Sequence, residues 1–259
     1  MIYPGELVQL VSPKGKRYLR TFNPDEALHT HEGKLDLGLL RETDFGDYIK
    51  THLGKKYRVL KPTLHDLLKN IKRETQIIYP KDIGYILLKL SVGPGSRIIE
   101  FGSGSGSLTL ALAWYAGSTG IVYSFERREK FMEICANNLA RVGLQDNVQQ
   151  INQDIEEGID LHEMDCAFID VRTPWECLDQ VVQGVRNGAP VGFLLPTVNQ
   201  VSALLESMDQ GPFSDVEVVE LMLRHYKPVS DRLRPEDRMV AHTGFLVFAR
   251  LNKNMPEKE

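Results

Sequence analysis

Residues 98–110 read IIEFGSGSGSLTL: a short apolar run, an acid, three alternating glycines, then an apolar helical pattern. The β-branched pair Ile98 and Ile99 suits a buried parallel strand, which the pattern closes at Glu100. Gly102, Gly104 and Gly106 permit a sharp turn and let a ligand approach the backbone without meeting a Cβ. Ser107, Leu108, Thr109, Leu110, Leu112 and Ala113 continue as a helix whose first N–H groups face back toward that turn. Such a strand–loop–helix unit suits a nucleotide-like ligand.

The dinucleotide fingerprint requires G-x-G-x-x-G, but the residue three after Gly104 is Ser107, so that pattern fails. The E-x-G-x-G-x-G spacing is similar to the loop with which class I methyltransferases hold S-adenosylmethionine (SAM). On that resemblance the cradle comprises Glu100, Gly102, Ser103, Gly104, Ser105, Gly106 and Ser107. The alternative is a glycine-rich turn of purely structural use. A second strand, Ile121–Phe125, ends in Glu126, about 20 residues past the loop, where an acid accepts from ribose hydroxyls. Arg127 beside it joins the expected cofactor site. Glu126 equally suits an acid at the N-terminus of the next helix, whose apolar residues recur at helical spacing up to Val142.

Composition describes a folded enzyme. At 259 residues, 42% hydrophobic and 25% charged, the chain can bury a large core in one large domain plus a small one. No apolar run approaches the ~20 residues of a membrane helix, and no signal peptide is expected at the start. Cys135, Cys166 and Cys177 are odd in number without C-x-x-C spacing, and they read as core thiols in a reducing cytoplasm. Metal binding is not expected. The net charge of −4 is unevenly divided: residues 1–75 hold 14 Lys+Arg against 10 Asp+Glu, and the remainder 17 against 25. The basic first part, with four of the seven histidines, marks either an anionic partner or an ordinary solvated surface.

Up to about Leu60 the segments are short and punctuated by glycine. Leu7–Val11, Lys16–Thr21 and Tyr57–Leu60 read as strands of a small barrel-like β domain. Helices are expected over Leu64–Ile71 and from Lys81, just after Pro80, to Leu90. Beyond Ser96 strands alternate with helices. Strands are expected at Val148–Asp154, Cys166–Val171, Val191–Leu195, Val216–Leu223 and Phe245–Leu251. Helices are expected near Pro174 and over Val201–Met208. This is an α/β, doubly wound Rossmann-like sheet with an antiparallel edge strand, preceded by the β domain. The expected boundaries are 1–62 for the β domain, 63–95 for connecting helices, 96–252 for the α/β domain and 253–259 for a charged tail.

Ligands of such sheets collect at the carboxyl ends of the strands, where Glu126, Asp154 and Asp170 stand. Asp154 suits a hydrogen bond from an adenine amino group, with Ile155 donating its backbone N–H, or a cap for the following turn. Asp170, with a tight turn and Trp175 after it, reads as a catalytic loop more than a cap.

On these residues the chain resembles the bacterial and archaeal tRNA (adenine-N1)-methyltransferases, which act on T-loop adenosine 58 and, in some archaea, on 57. The matching stretches are TQIIYPKD (Thr75–Asp82), EFGSGSGSLTL (Glu100–Leu110), the strand end at Glu126, Asp154–Ile155, D-x-x-x-P-W at Asp170, and RPEDRMVAHTGFLVFAR (Arg234–Arg250). HTHEGKLDLG and LKPTLHDLL are similar to the family's small β domain. The resemblance implies SAM as cofactor, tRNA as partner, a homotetramer and a cytoplasmic location. It implies Asp170 and Tyr79 as catalytic residues, Gln76 at the cofactor, and Trp175 as a stacking platform or a packing residue. Arg234, Arg238 and His242 are candidate substrate contacts, with an ion-pair network and a structural histidine as alternatives. Two positions depart from the family: Arg172 stands where a proline is usual, and Phe101 where a small residue is usual.

The chemistry is economical. Adenine N1 offers a lone pair at neutral pH, so no strong base is required. The enzyme must supply in-line placement, worth up to roughly 7–11 kcal/mol, and stabilise the cationic ring. A carboxylate accepting from the exocyclic amine does both. N1 lies on the pairing edge, so the adenosine must rotate out of its pairing. Two other classes compete: a non-catalytic tRNA-binding subunit, which would have lost the loop and Asp170, and a class I methyltransferase acting on a small molecule or protein.

Overall fold

A computed structural model describes residues 1–74 and 76–254; Thr75, which opens TQIIYPKD, and residues 255–259 of the charged tail lie outside the described residues. The chain divides into two compact units after Ile71. In the first, β1 (Leu7–Val11), β2 (Arg17–Thr21), β5 (Tyr48–Lys50) and β6 (Lys56–Leu60) form an antiparallel sheet in the order β2-β1-β6-β5. Strands β3 (Ala27–Thr30) and β4 (Gly33–Asp36) pair only with each other, and helix α1 (Leu64–Lys69) follows β6. The sheet is therefore open, with β2 and β5 as its edges, rather than a closed barrel. Tyr57 is fully buried, and its hydroxyl bridges Thr30 Oγ1 (3.0 Å) and Glu32 Oε2 (2.9 Å), pinning the hairpin to the sheet. Strands β3, β4 and β5, three or four residues each, were not legible from alternation because they are too short to show a period.

The second unit begins with α2 (Pro80–Lys89), with Pro80 at its first position. There follow β7 (Arg97–Phe101), α3 (Ser107–Ala116), β8 (Ile121–Phe125), α4 (Glu129–Val142), β9 (Val148–Ile151) and β10 (Cys166–Ile169). Next come α5 (Leu178–Gly184), β11 (Pro190–Leu195), α6 (Val198–Met208), β12 (Phe213–Val219), the short ribbon β13 (Tyr226–Lys227) and β14 (Arg234–Pro235), and β15 (Phe245–Leu251). The seven-stranded sheet runs β12-β15-β11-β10-β7-β8-β9.

Its one reversed strand is not at the edge. β15 lies antiparallel between β11 and β12, which is why FLVFARL is buried almost throughout while β12 alternates. Several expected elements differ in length or winding. β9 stops at Ile151, so Asp154 lies in the turn beyond the strand. β7 runs one residue past Glu100. Pro174–Cys177 forms a 3₁₀ turn before α5 begins at Leu178. Cys135, Cys166 and Cys177 are buried, and none of them forms a disulfide. Among the described residues no helix is long and apolar enough to cross a membrane.

The core beside the sheet holds a buried carboxyl group. Glu100 is 1% exposed, and its carboxylate accepts from Thr109 Oγ1 of α3 (2.7 Å) and Ser124 Oγ of β8 (2.6 Å). Burial raises its pKa to about 7, against two hydroxyl hydrogen bonds that lower it. A carboxyl whose folded pKa is raised binds more protons folded than unfolded, so ionising it costs stability as pH rises. Glu100→Gln retains an oxygen for both hydroxyls and removes the charge. Urea midpoints from pH 5 to 8 are expected to show wild type losing up to about 3 kcal/mol relative to Glu100→Gln. The difference in pH slope is the readout, because the new amide shifts absolute stability by its own fit; parallel pH profiles would refute the assignment.

Candidate active site

The strand order reverses between β7 and β10, and a doubly wound sheet takes ligands in the crevice outside such strand ends. A cavity of about 760 Å³ lies there, within the roughly 300–1,000 Å³ usual for small-molecule sites. Gln76, Gly102, Gly104, Glu126, Arg127, Asp154, Ile155 and Asp170, all expected from sequence, line it together.

Two of the loop glycines answer to the protein itself. Gly102 has φ +90°, and a Cβ there would lie 2.3 Å from the Asp170 carbonyl oxygen. Gly106 caps α3 at φ +83°, and its Cβ would meet Cys135 Sγ at 2.6 Å. Asp170 is held from the other side too, its N–H donating to Phe101 O at 2.8 Å. Phe101 itself is fully buried and packs against Phe125 with ring centroids 5.2 Å apart.

Glu126 follows β8 and is nearly buried. One carboxylate oxygen accepts from Gly104 N–H (3.1 Å), and the other from Arg128 N–H (3.0 Å) and Nε (3.1 Å). Glu126 thus braces the start of α4, one of its two sequence readings, and lines the cavity. Arg127 pairs with Asp154 at 3.4 Å. Asp170 has no side-chain partner among the described residues. It keeps solvent contact through the open cleft, yet the protein packed around it, and then the Glu126 charge, raise its pKa to about 7. Water in the cleft moderates that rise, and a ligand that expels the water would strengthen it.

Several expected residues are not on the cavity wall. Glu100 is turned into the core as described above. Ser103 and Ser105 are buried beneath the loop, and the Ser105 carbonyl accepts from Asn138 Nδ2 (2.9 Å). Ser107 Oγ donates to the Ile78 carbonyl (3.1 Å), tying the first turn of α3 to the TQIIYPKD segment. Trp175 sits on the 3₁₀ turn, packs against the core and lines a separate depression of about 210 Å³, so it is no platform over the main cavity. Tyr79 caps α2, and its hydroxyl meets Gln76 Nε2 at 3.0 Å, which couples it to the cavity through Gln76.

The segment around His242 is stitched in place. The imidazole Nδ1 faces Glu220 Oε1 (2.7 Å) and Nε2 faces the Pro196 carbonyl (3.0 Å). Glu220, and then that carbonyl, raise its pKa, because only the doubly protonated ring donates to both. These two contacts favour the structural alternative for His242, whose side chain is still 46% exposed. Arg234 and Lys227 both pair with Asp237, so part of the basic cluster is an ion-pair network, while Arg238 is exposed.

Arg128, which sequence reasoning missed, and Arg172, which it noted only as a departure from the family, also line the cavity; a buried clamp was missed as well. Lys81 Nζ donates to Asp82 Oδ1 (2.7 Å), to the Leu221 carbonyl (2.8 Å) and to Thr243 Oγ1, which in turn donates to Asp82 Oδ2 (2.8 Å). The clamp joins TQIIYPKD to RMVAHTGF, the two most distinctive motifs of the chain. The one available signal was a Lys-Asp pair on an otherwise apolar first helical turn. Lys81→Met is expected to destabilise by about 3–5 kcal/mol in chemical denaturation, because it strands a buried carboxylate. Gly102→Ala is expected to cost more than about 1 kcal/mol. The control is Gly188→Ala, at φ +79° with open space around it; equal losses would remove the Asp170 contact as the cause.

Comparison with known proteins extends this geometry. The family described as "tRNA methyltransferase complex GCD14 subunit" matches residues 56–234, and a "TrmI-like N-terminal" family matches residues 1–40. A Methanocaldococcus jannaschii protein named tRNA (adenine(57)-N(1)/adenine(58)-N(1))-methyltransferase TrmI is 30% identical, over 96% of each chain. The Aquifex aeolicus tRNA (m1A58) methyltransferase TrmI structure is 41% identical with TM-score 0.84, covering 96% of this chain and 98% of its own. A Thermotoga maritima structure described as a SAM-dependent O-methyltransferase is 40% identical with TM-score 0.93, covering 100% of this chain and 96% of its own. Similarity that spans both units and the whole cavity carries a plain conclusion: the chain belongs to the tRNA (adenine-N1)-methyltransferase family.

Proposed function

We propose that this chain transfers a methyl group from SAM to N1 of the T-loop adenosine 58 of tRNA. The observation that carries the reading is Asp170, a cavity-facing carboxylate whose side chain has no partner among the described residues and whose backbone is held between Phe101 and Gly102. SAM, when bound, supplies a methyl group activated on a sulfonium. The residues present suit it. A carboxylate offers about four acceptor positions and Glu126 uses three, so it has one for a ribose hydroxyl and more when the exposed Arg128 swings aside. Asp154 and the Ile155 N–H suit the adenine edge, with Gln76 and Arg127 at the wall and Tyr79 behind Gln76. The α3 N-terminus suits a carboxylate.

For the acceptor, the residues must hold N1 in line and offset the positive charge that develops. Asp170 accepts from the exocyclic amine, which orients the base and places a negative charge beside the new cation. It accepts only when ionised. With its pKa near 7, the active fraction rises through neutrality. The product cation favours the ionised form, so the charge is held as the reaction proceeds.

The N-terminal unit is proposed to dock tRNA, on its basic balance, and Arg234 and Arg238 to meet phosphates beyond their ion pairs. Self-assembly, a homotetramer by family resemblance, is supported by the exposed apolar Met222, Leu233 and Val240 around the ribbon. A cytoplasmic location follows from the proposed substrate. The non-catalytic reading is disfavoured by an intact loop and Asp170 in one cavity.

Mass-spectrometric mapping of nucleosides after incubation with SAM and unmodified tRNA is expected to show 1-methyladenosine at 58. The same digest reports position 57. Methylation of small-molecule hydroxyls or protein, with tRNA untouched, would overturn the proposal. The kcat/KM for tRNA is expected to fall about tenfold per pH unit below about 7. Asp170→Asn should flatten that profile and lower kcat by roughly a hundredfold or more, while calorimetry finds SAM affinity within a few-fold of wild type. A variant with full turnover would remove Asp170 from this role.

A further inference from the structure

Three guanidinium groups line the cavity: Arg127, Arg128 and Arg172. The first two are committed, Arg127 to Asp154 and Arg128 to Glu126. Among the described residues the Arg172 guanidinium has neither an ion pair nor a hydrogen bond. Its side chain is exposed, although its backbone is not loose. The Arg172 carbonyl accepts from Gln200 Nε2 (3.1 Å), and Gln200 is held in turn by Thr197 at the start of α6 (2.7 Å). Among the described residues no ion pair joins Arg172 to Asp170, its neighbour two residues back. The result is a cation on a fixed stem at the cavity wall, directed to nothing within the protein.

The cavity otherwise repels the substrate proposed for it. Glu126, Asp154 and Asp170 line one space, and an adenosine that enters it remains joined to a phosphate on each side. A phosphodiester must then come close to three carboxylates. A planar guanidinium answers that need, since its fork matches two phosphate oxygens and its charge persists at every physiological pH. We infer that Arg172 binds a phosphodiester of the RNA directly flanking the adenosine that enters the cavity. The inference rests on the reading of tRNA as acceptor. The carboxylate of the cofactor is the competing anion, but backbone N–H groups at the start of α3 already suit it.

The test compares wild type, Arg172→Ala and Arg172→Lys on unmodified tRNA and on T-arm hairpins. In the hairpins, the phosphate on either side of the target adenosine is replaced by an uncharged methylphosphonate. Arg172→Ala is expected to raise KM for tRNA about tenfold and to make its dependence on log salt shallower by about 0.7–0.9. SAM affinity and the unfolding midpoint stay at wild-type values. Arg172→Lys recovers part of the loss. One of the two methylphosphonates costs wild type about tenfold and costs Arg172→Ala nothing further. An unchanged KM and salt slope in Arg172→Ala overturns the inference. So does equal sensitivity of both proteins to methylphosphonate, or weakened SAM binding with KM for tRNA unchanged. Wild-type protein inactive on every tRNA tested overturns the acceptor reading instead, so the two failures are distinguishable.

Discussion

The close approach of Gly102 to the Asp170 carbonyl is the constraint on which the site depends. β7 and β10 are paired through Phe101 and Ile169, so the chain segments leaving them emerge side by side. A side chain at residue 102 would push them apart. Because residue 102 has none, the loop that turns into α3 and the acid that follows β10 share one wall. Asp170 is then held through its N–H to Phe101 and through its carbonyl against Gly102, and its carboxylate is the only part left free. Glu126 arrives from β8, the next strand over, and accepts from Gly104. Three successive strands thus converge their ends on one volume, and the electrostatics of Asp170 follow from that convergence.

Much of this was legible along the chain. Ile121–Phe125 and Phe245–Leu251 were read to their exact limits, since β-branched and aromatic runs bounded by polar residues leave little choice. The strand-end acids were legible because topology alone brings strand ends together. Side-chain direction was not. Glu100 and Ser107 belong to the glycine motif yet satisfy partners inside the protein, and only packing decides which way a residue at a strand end or a helix start will point. Trp175 takes the packing alternative for a related reason: the turn after Pro174 winds as 3₁₀, and the indole lines a second depression.

The features missed altogether depend on side-chain direction or on long separations. Arg128 follows directly on the strand-end pair Glu126–Arg127, and nothing local distinguishes which arginine meets which acid. Lys81 and Thr243 are far apart in the chain, and neither belongs to a chemical motif recognisable by type. Both motifs that carried the family resemblance most specifically prove to meet at this clamp. Their distinctiveness reflects a shared buried contact as much as any contact with a ligand.

That clamp also sets an order of events during synthesis. The first turn of α2 leaves the ribosome early with a lysine and an aspartate whose buried partners, the Leu221 carbonyl and Thr243, come near the end of the chain. The strand after Thr243, β15, must also insert between β11 and β12 rather than add at an edge. Pairings of such long span are slow to close. The glycine loop and its neighbouring strands can therefore assemble while the segment carrying Gln76 and Tyr79 still lacks its anchor. A nascent chain has the floor of the cavity well before the wall segment that carries Gln76 is anchored, and the residues from Leu221 to Leu251 decide when the cavity is complete.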